Sequence, residues 1–185
     1  MRRLFLMLTA LLLSALTGPM PAQAGDDWRA VQAGTAVLFR HALAPGVGDP
    51  AGFQLGDCST QRNLSDEGRA QARALGQAFK TRSITVGAVW SSQWCRTRET
   101  ADIAFSQRRQ DQPSFNSFFA QTHLAAEQTR AVQALLASWR GPGVLVVVTH
   151  QVNITALTGV VPASGEGVVV RSTPQGLQVL GRVAP

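Results

Sequence analysis

The chain reads as a three-layer α/β/α sandwich around a mainly parallel central sheet. Three observations predict it: two continuous apolar runs, Thr35 to Arg40 and Val144 to Thr149, amphipathic helical stretches between strand-like runs, and Gly/Pro punctuation at their ends. A run that is apolar on both faces suits a strand covered by helices on each side.

Taken in order, Thr35 to Arg40 (TAVLFR) is the first buried strand, ending at Arg40-His41, and a long Pro/Gly-rich loop follows from Ala44 to Gly56. Ser65-Asp66-Glu67 opens a helix with a capping hydroxyl and two acids at the positive dipole end. Ala72, Leu75 and Phe79 give that helix its apolar stripe. Val86 to Trp90 is a second strand leading into Ser91-Ser92, and a second helix from near Trp94 carries Arg96 through Phe105. Gln107 to Gln112 reads as a polar loop before Pro113, and Leu124 to Trp139 as a third helix stopped by Gly141-Pro142-Gly143. Val144 to Thr149 (VLVVVT) is the clearest buried strand and ends at His150. Asn153 to Leu157 begins a further helix, and Val168 to Arg171 with Leu177 to Val183 form a closing hairpin.

The N-terminus has the plan of an export signal. A positive start at Arg2-Arg3 precedes the apolar stretch Leu4 to Leu16, then Gly18-Pro19, then the small-x-small site Ala22-Gln23-Ala24. The apolar run is short for a membrane span, which needs about 20 residues. Cleavage after Ala24 is therefore expected, leaving one domain over residues 25–185 that is periplasmic or secreted, with no stable membrane insertion. Without Arg2 and Arg3 the domain keeps 15 basic against 11 acidic residues, and Lys80 is the only lysine. That modest excess suits an anionic ligand, and no basic run with interleaved aromatics suggests nucleic acid. An even cysteine count in an exported chain points to a Cys58–Cys95 disulfide, with two buried thiols as the alternative. No apolar patch or heptad calls for an oligomer, so a monomer is expected.

In doubly wound folds, sites form at the carboxyl ends of strands. Arg40-His41 and His150 fall there, and Ser91-Ser92 leads directly to Arg96. Together they supply what a metal-free phosphate monoester site requires. Guanidinium groups give forked hydrogen bonds to a dianion, an unprotonated imidazole can attack phosphorus, and a second imidazole can donate to a phosphate oxygen. His123, in a polar stretch, is read as an ordinary surface residue.

Four segments carry a family resemblance: LFRHA at 38–42, NLSDEGRAQARALG at 63–76, SSQWCRTRETA at 91–101 and VVVTHQ at 146–151. In this order they resemble the histidine phosphatase superfamily (phosphoglycerate mutase-like), in an exported bacterial form. The first looks like its Arg-His-Gly signature with Ala42 in place of Gly, and Gln151 stands where Gly commonly follows the second histidine. The resemblance implies that His41 is the nucleophile and becomes transiently phosphorylated. Arg40, Arg96 and His150 would then grip the transferring group without metal or cofactor. Arg62, just upstream of the second segment, is added as a cation within reach of the substrate, with an exposed structural arginine as the alternative.

The acid that would protonate the leaving oxygen is left open among Asp49, Glu99, Asp102, Asp111, Glu127 and Glu166. The reading is thus a phosphomonoester hydrolase for a small or envelope-associated phosphorylated substrate. A mutase fits an exported chain less well. The alternative from a different class is an envelope protein that keeps the anion pocket but lacks turnover, and a metal-dependent hydrolase is the weakest candidate.

Overall fold

The computed structural model describes residues 26–106 and 109–185, so the proposed signal segment 1–24 lies outside the described residues. Six strands form one sheet: β1 (Ala36–Arg40), β2 (Val86–Ser91), β3 (Arg109–Asp111), β4 (Val144–Thr149), β5 (Gly167–Thr173) and β6 (Gly176–Val183). Their order across the sheet is β3-β2-β4-β1-β5-β6. The strands β3, β2, β4 and β1 run parallel, while β5 pairs antiparallel with β1 and β6 with β5. Among the described residues, four helices connect them: α1 (Asp66–Thr81), α2 (Cys95–Phe105), α3 (Ala125–Ser138) and α4 (Gln151–Thr158).

Side-chain alternation on the two central strands builds both halves of the core. Val37 and Phe39 of β1, with Val144, Val146 and Val148 of β4, meet Leu75 and Phe79 of α1 and Ala101, Ala104 and Phe105 of α2. Leu38, Leu145 and Val147 point the other way, onto Val132 and Leu136 of α3 and Ile154 and Leu157 of α4. Helices therefore cover both faces, as the apolar runs predict. The start of α1 is also as expected: Ser65 Oγ accepts the Gly68 N–H at its head.

The polar stretch Gln107 to Gln112 corrects an expectation. It is not wholly loop, because Arg109–Asp111 forms β3 and pairs in parallel with Val89, Trp90 and Ser91. This edge strand is short and hydrophilic, so no hydrophobic alternation marks it. Ion pairs from Arg109 to Asp102 and from Arg98 to Asp111 tie it to α2. The expected disulfide is present between Cys58 and Cys95. In the chain-entropy picture, closing a loop of that separation contributes about 4 kcal/mol.

Candidate active site

Insertion of β4 between β1 and β2 brings three strand ends together. Arg40 lies level with Thr149, and Ser91 with Val148. Just beyond, the His41 N–H donates to Thr149 O (2.9 Å) and the Ser92 N–H to Val148 O (3.0 Å). His41, His150 and Ser92 are thus the first residues past three adjacent strands, and α2 begins close enough to add Arg96. The two imidazole centroids are 5.6 Å apart.

Hydrogen bonding fixes the His41 tautomer. Its Nδ1 lies 2.8 Å from Ala42 O, and a carbonyl can only accept, so the proton is on Nδ1. Nε2 is left with its lone pair, which accepts Arg96 Nε–H at 3.2 Å. Burial, and then the Arg96 charge, lower the His41 pKa to about 3, so the ring is neutral across the ordinary pH range. His150 is also held well below the usual histidine range by burial, and then by His41 and the neighbouring arginines. Its Nε2 is 2.8 Å from Ser92 Oγ, which in turn lies 3.2 Å from Asn116 Oδ1.

The residues after His41 are held by the motif helices. Thr100 Oγ1 accepts the Ala42 N–H, and Gln71 Oε1 accepts the Leu43 N–H while its Nε2 donates to Ser164 O. Gly68 lets α1 press against this turn, since a Cβ there would sit 2.1 Å from Leu43 O. The polar positions of the second and third sequence segments thus act on the backbone that carries His41.

Four charged groups surround the imidazoles in a cavity of about 540 Å³: Arg40, Arg62, Arg96 and Asp49. Arg40 donates to Pro162 O and leaves its Nε buried without a partner. Burial, and then Arg96, lower its pKa, so nearby cations already disfavour its charge. Arg62 borders the cavity but spends its guanidinium on the backbone, donating to Gly48 O (2.7 Å) and to Ala44 O. It straps the Pro/Gly loop in place.

Asp49 is the feature that sequence reasoning did not single out from its six candidates. Its carboxylate faces Arg96 through two hydrogen bonds, Nη1 to Oδ1 at 2.6 Å and Nη2 to Oδ2 at 3.1 Å, and also accepts Trp94 Nε1–H. Burial alone would raise its pKa, but hydrogen bonds from Arg96 and Trp94 and the Arg96 charge outweigh it and hold the carboxyl below its usual value. Among the described residues it is the only carboxylate bordering this cavity. Glu99, Asp102, Asp111 and Glu166 are each paired with an arginine away from the cavity, and Glu127 is exposed in the first turn of α3. His123 is likewise exposed and outside it.

Comparison with known proteins bears on this geometry. The histidine phosphatase superfamily (branch 1) matches residues 37–114, a span that includes Arg40, His41, Asp49 and Arg96 and stops short of His150. Over that stretch the chain is similar to this superfamily.

Solved structures share this architecture. TTHB049 from Thermus thermophilus is 21% identical with a TM-score of 0.55, over 82% of this chain and 99% of that one. The phosphoserine phosphatase of Entamoeba histolytica, solved with 3-phosphoglyceric acid, is 12% identical with a TM-score of 0.57, over 82% and 97%. The protein histidine phosphatase SixA, solved with tungstate, is 13% identical with a TM-score of 0.53, over 82% and 97%. At such identities the likeness establishes the fold. No curated protein sequence matches the chain.

Proposed function

We propose that the protein is an exported, metal-independent phosphomonoester hydrolase whose nucleophile is Nε2 of His41. The observation that carries this reading is the unprotonated Nε2, set by the Nδ1–Ala42 O hydrogen bond and ringed by Arg40, Arg96 and His150. In the first step the Nε2 lone pair forms a bond to phosphorus and the bond to the ester oxygen breaks, with the electron pair leaving on that oxygen. Arg40 and Arg96 balance charge on the equatorial oxygens. In the second step water attacks phosphorus, the N–P bond breaks, and inorganic phosphate departs. Arginines packed around the histidines would repel a divalent cation, which supports the metal-independent reading. His150 is read as an oxygen ligand for the transferring group, and Arg62 as a strap that adds positive potential at the cavity wall.

The envelope setting is supported by the signal-like residues 1–24 and by the disulfide, which suits an oxidising compartment. The substrate is then a small or envelope-associated phosphomonoester, acted on by a monomer. Residues 25–185 should hydrolyse phosphomonoesters with chelator present, and His41→Ala should not. A phosphorylated His41 trapped in a rapid quench and seen as a mass increase would secure the intermediate.

One observation favours a second reading, an anion-binding protein without turnover. The sole carboxylate at the cavity, among the described residues, is fully used as a hydrogen-bond acceptor and offers no proton to a leaving group. That reading takes over if no ester is hydrolysed while inorganic phosphate still raises the melting temperature.

A further inference from the structure

Beyond the phosphoryl group, the cavity has a mouth of a different character. Arg40, Arg96 and Asp49 cluster about the histidines, while the Arg62 guanidinium is held by Gly48 O and Ala44 O. The rest of the wall includes Val47, Pro50, Phe53, Trp94, Phe119 and Val152, with uncharged Ser117, Gln121 and Gln151. Val47 is 87% exposed and Phe119 is 52% exposed, an unusual outlay of apolar surface around one opening. The two belong to one rim, since a Cβ at Gly48 would lie 3.7 Å from Phe119 Cε1. Phe53 stacks on Trp94 with centroids 5.0 Å apart and planes 19° from parallel. The Trp94 Nε1–H is committed to Asp49 and Gln151 Nε2 to Thr155 Oγ1, which leaves few donors for a hydroxyl-rich group.

We infer that this mouth is a leaving-group subsite for an aromatic alcohol, so that the substrates are aryl phosphomonoesters rather than sugar, polyol or doubly anionic esters. The inference rests on the hydrolase reading above and deepens it. A second anion would find only Arg62, whose guanidinium already donates to Gly48 O and Ala44 O, and a polyol would lose water without equivalent partners. An aryl ring would be desolvated against Phe119, Phe53 and Val47. The chemistry agrees with the lining. Asp49 accepts hydrogen bonds from Arg96, Trp94 and the Arg62 N–H, so it supplies no proton, and the ester oxygen must leave as an anion. A phenolate does so readily: the P–O bond breaks as Nε2–P forms, and the phenolate then takes its proton from water.

The test separates binding from turnover. Calorimetry on residues 25–185 compares 1-naphthylmethylphosphonate, decylphosphonate and methylphosphonate, none of which can be hydrolysed. The naphthyl compound is expected to bind about tenfold more tightly than methylphosphonate, within the range one apolar group gives in such a pocket. Val47→Ser with Phe119→Ser, both exposed and checked for an unchanged melting temperature, should bring that ratio close to one. Equal binding of the three, or a ratio untouched by the double variant, would overturn the subsite. Tightest binding of the decyl compound would overturn the aryl assignment in favour of a long-chain ester. Turnover of 1-naphthyl phosphate beside glycerol phosphate is measured in parallel. If the phosphonate ratio holds and neither ester is hydrolysed, the hydrolase reading fails and the subsite stands.

Discussion

His41 owes its unprotonated Nε2 to a backbone carbonyl, and Arg96 is shared between that nitrogen and the Asp49 carboxylate. A phosphoryl group entering the cavity must therefore compete with a carboxylate already forked onto Arg96. Asp49→Asn removes the negative charge and keeps one acceptor oxygen, enough for Trp94 Nε1 or for the Arg62 N–H but not for both. We expect the variant to bind inorganic phosphate several-fold more tightly, in proportion to the like-charge repulsion relieved beside a guanidinium. Competitive inhibition by phosphate measures it directly. The same variant tests whether Asp49 donates a proton. Loss of a general acid would lower kcat for alkyl esters by about 10²–10⁴-fold and spare aryl esters, whereas an ionised Asp49 predicts no such split. The turn after His41 is open to a similar test. Gln71→Ala strips the acceptor from the Leu43 N–H and the donor from Ser164 O, and should cost about 1–3 kcal/mol in urea unfolding with a fall in kcat.

At the scale of elements, α1 is placed by what it lacks. A methyl at Gly68 would lie 2.1 Å from Leu43 O, and one at Gly76 would lie 2.3 Å from Ala104 O on α2. Both obstacles are backbone atoms, so the helix itself must move. Gly68→Ala should destabilise the fold and reduce activity because it displaces the turn bearing His41. Gly76→Ala should destabilise chiefly through the α1–α2 contact. Comparing kcat at matched melting temperatures separates the two.

The same scale shows how far the sequence could be read. Strands β1 and β4 were legible because burial on both faces leaves continuous Val, Leu and Phe, and their ends marked Arg40, His41 and His150 without further help. Arg96 followed from its motif on α2. The strand Arg109–Asp111 was not legible, since an edge held by Arg98, Asp102 and their ion pairs carries no apolar period. Asp49 could not be ranked above Glu99 or Glu166, because only the three-dimensional course of the Ala44 to Gly56 loop decides which carboxylate meets Arg96. Nor could the Ser92–Asn116 support of His150 be read, as it joins segments 24 residues apart through side chains alone.

The whole molecule carries the cost of keeping two neutral imidazoles buried among arginines, and that cost has a pH signature. In the unfolded chain both histidines titrate near 6.5. In the folded chain His41 is lowered to about 3, and His150 is also well below its usual value. Below pH 6.5 the unfolded chain binds protons that the folded chain refuses, so unfolding becomes more favourable as the pH falls. The stabilisation is complete above about 6.5 and is lost progressively toward the folded values. Asp49 and Glu166 are lowered too, but from ordinary carboxylate values near 4, so their contribution fades only below that point. Between about pH 6.5 and 4 the slope therefore belongs mainly to the two site histidines. Calorimetric melting should show the transition temperature falling steadily through this window. A His41→Asn, His150→Gln double variant should flatten it, since neither side chain titrates. A wild-type profile that stays level across the same window would mean the imidazoles accept protons in the folded state, and Nε2 of His41 would then be protonated in mild acid rather than free to attack phosphorus.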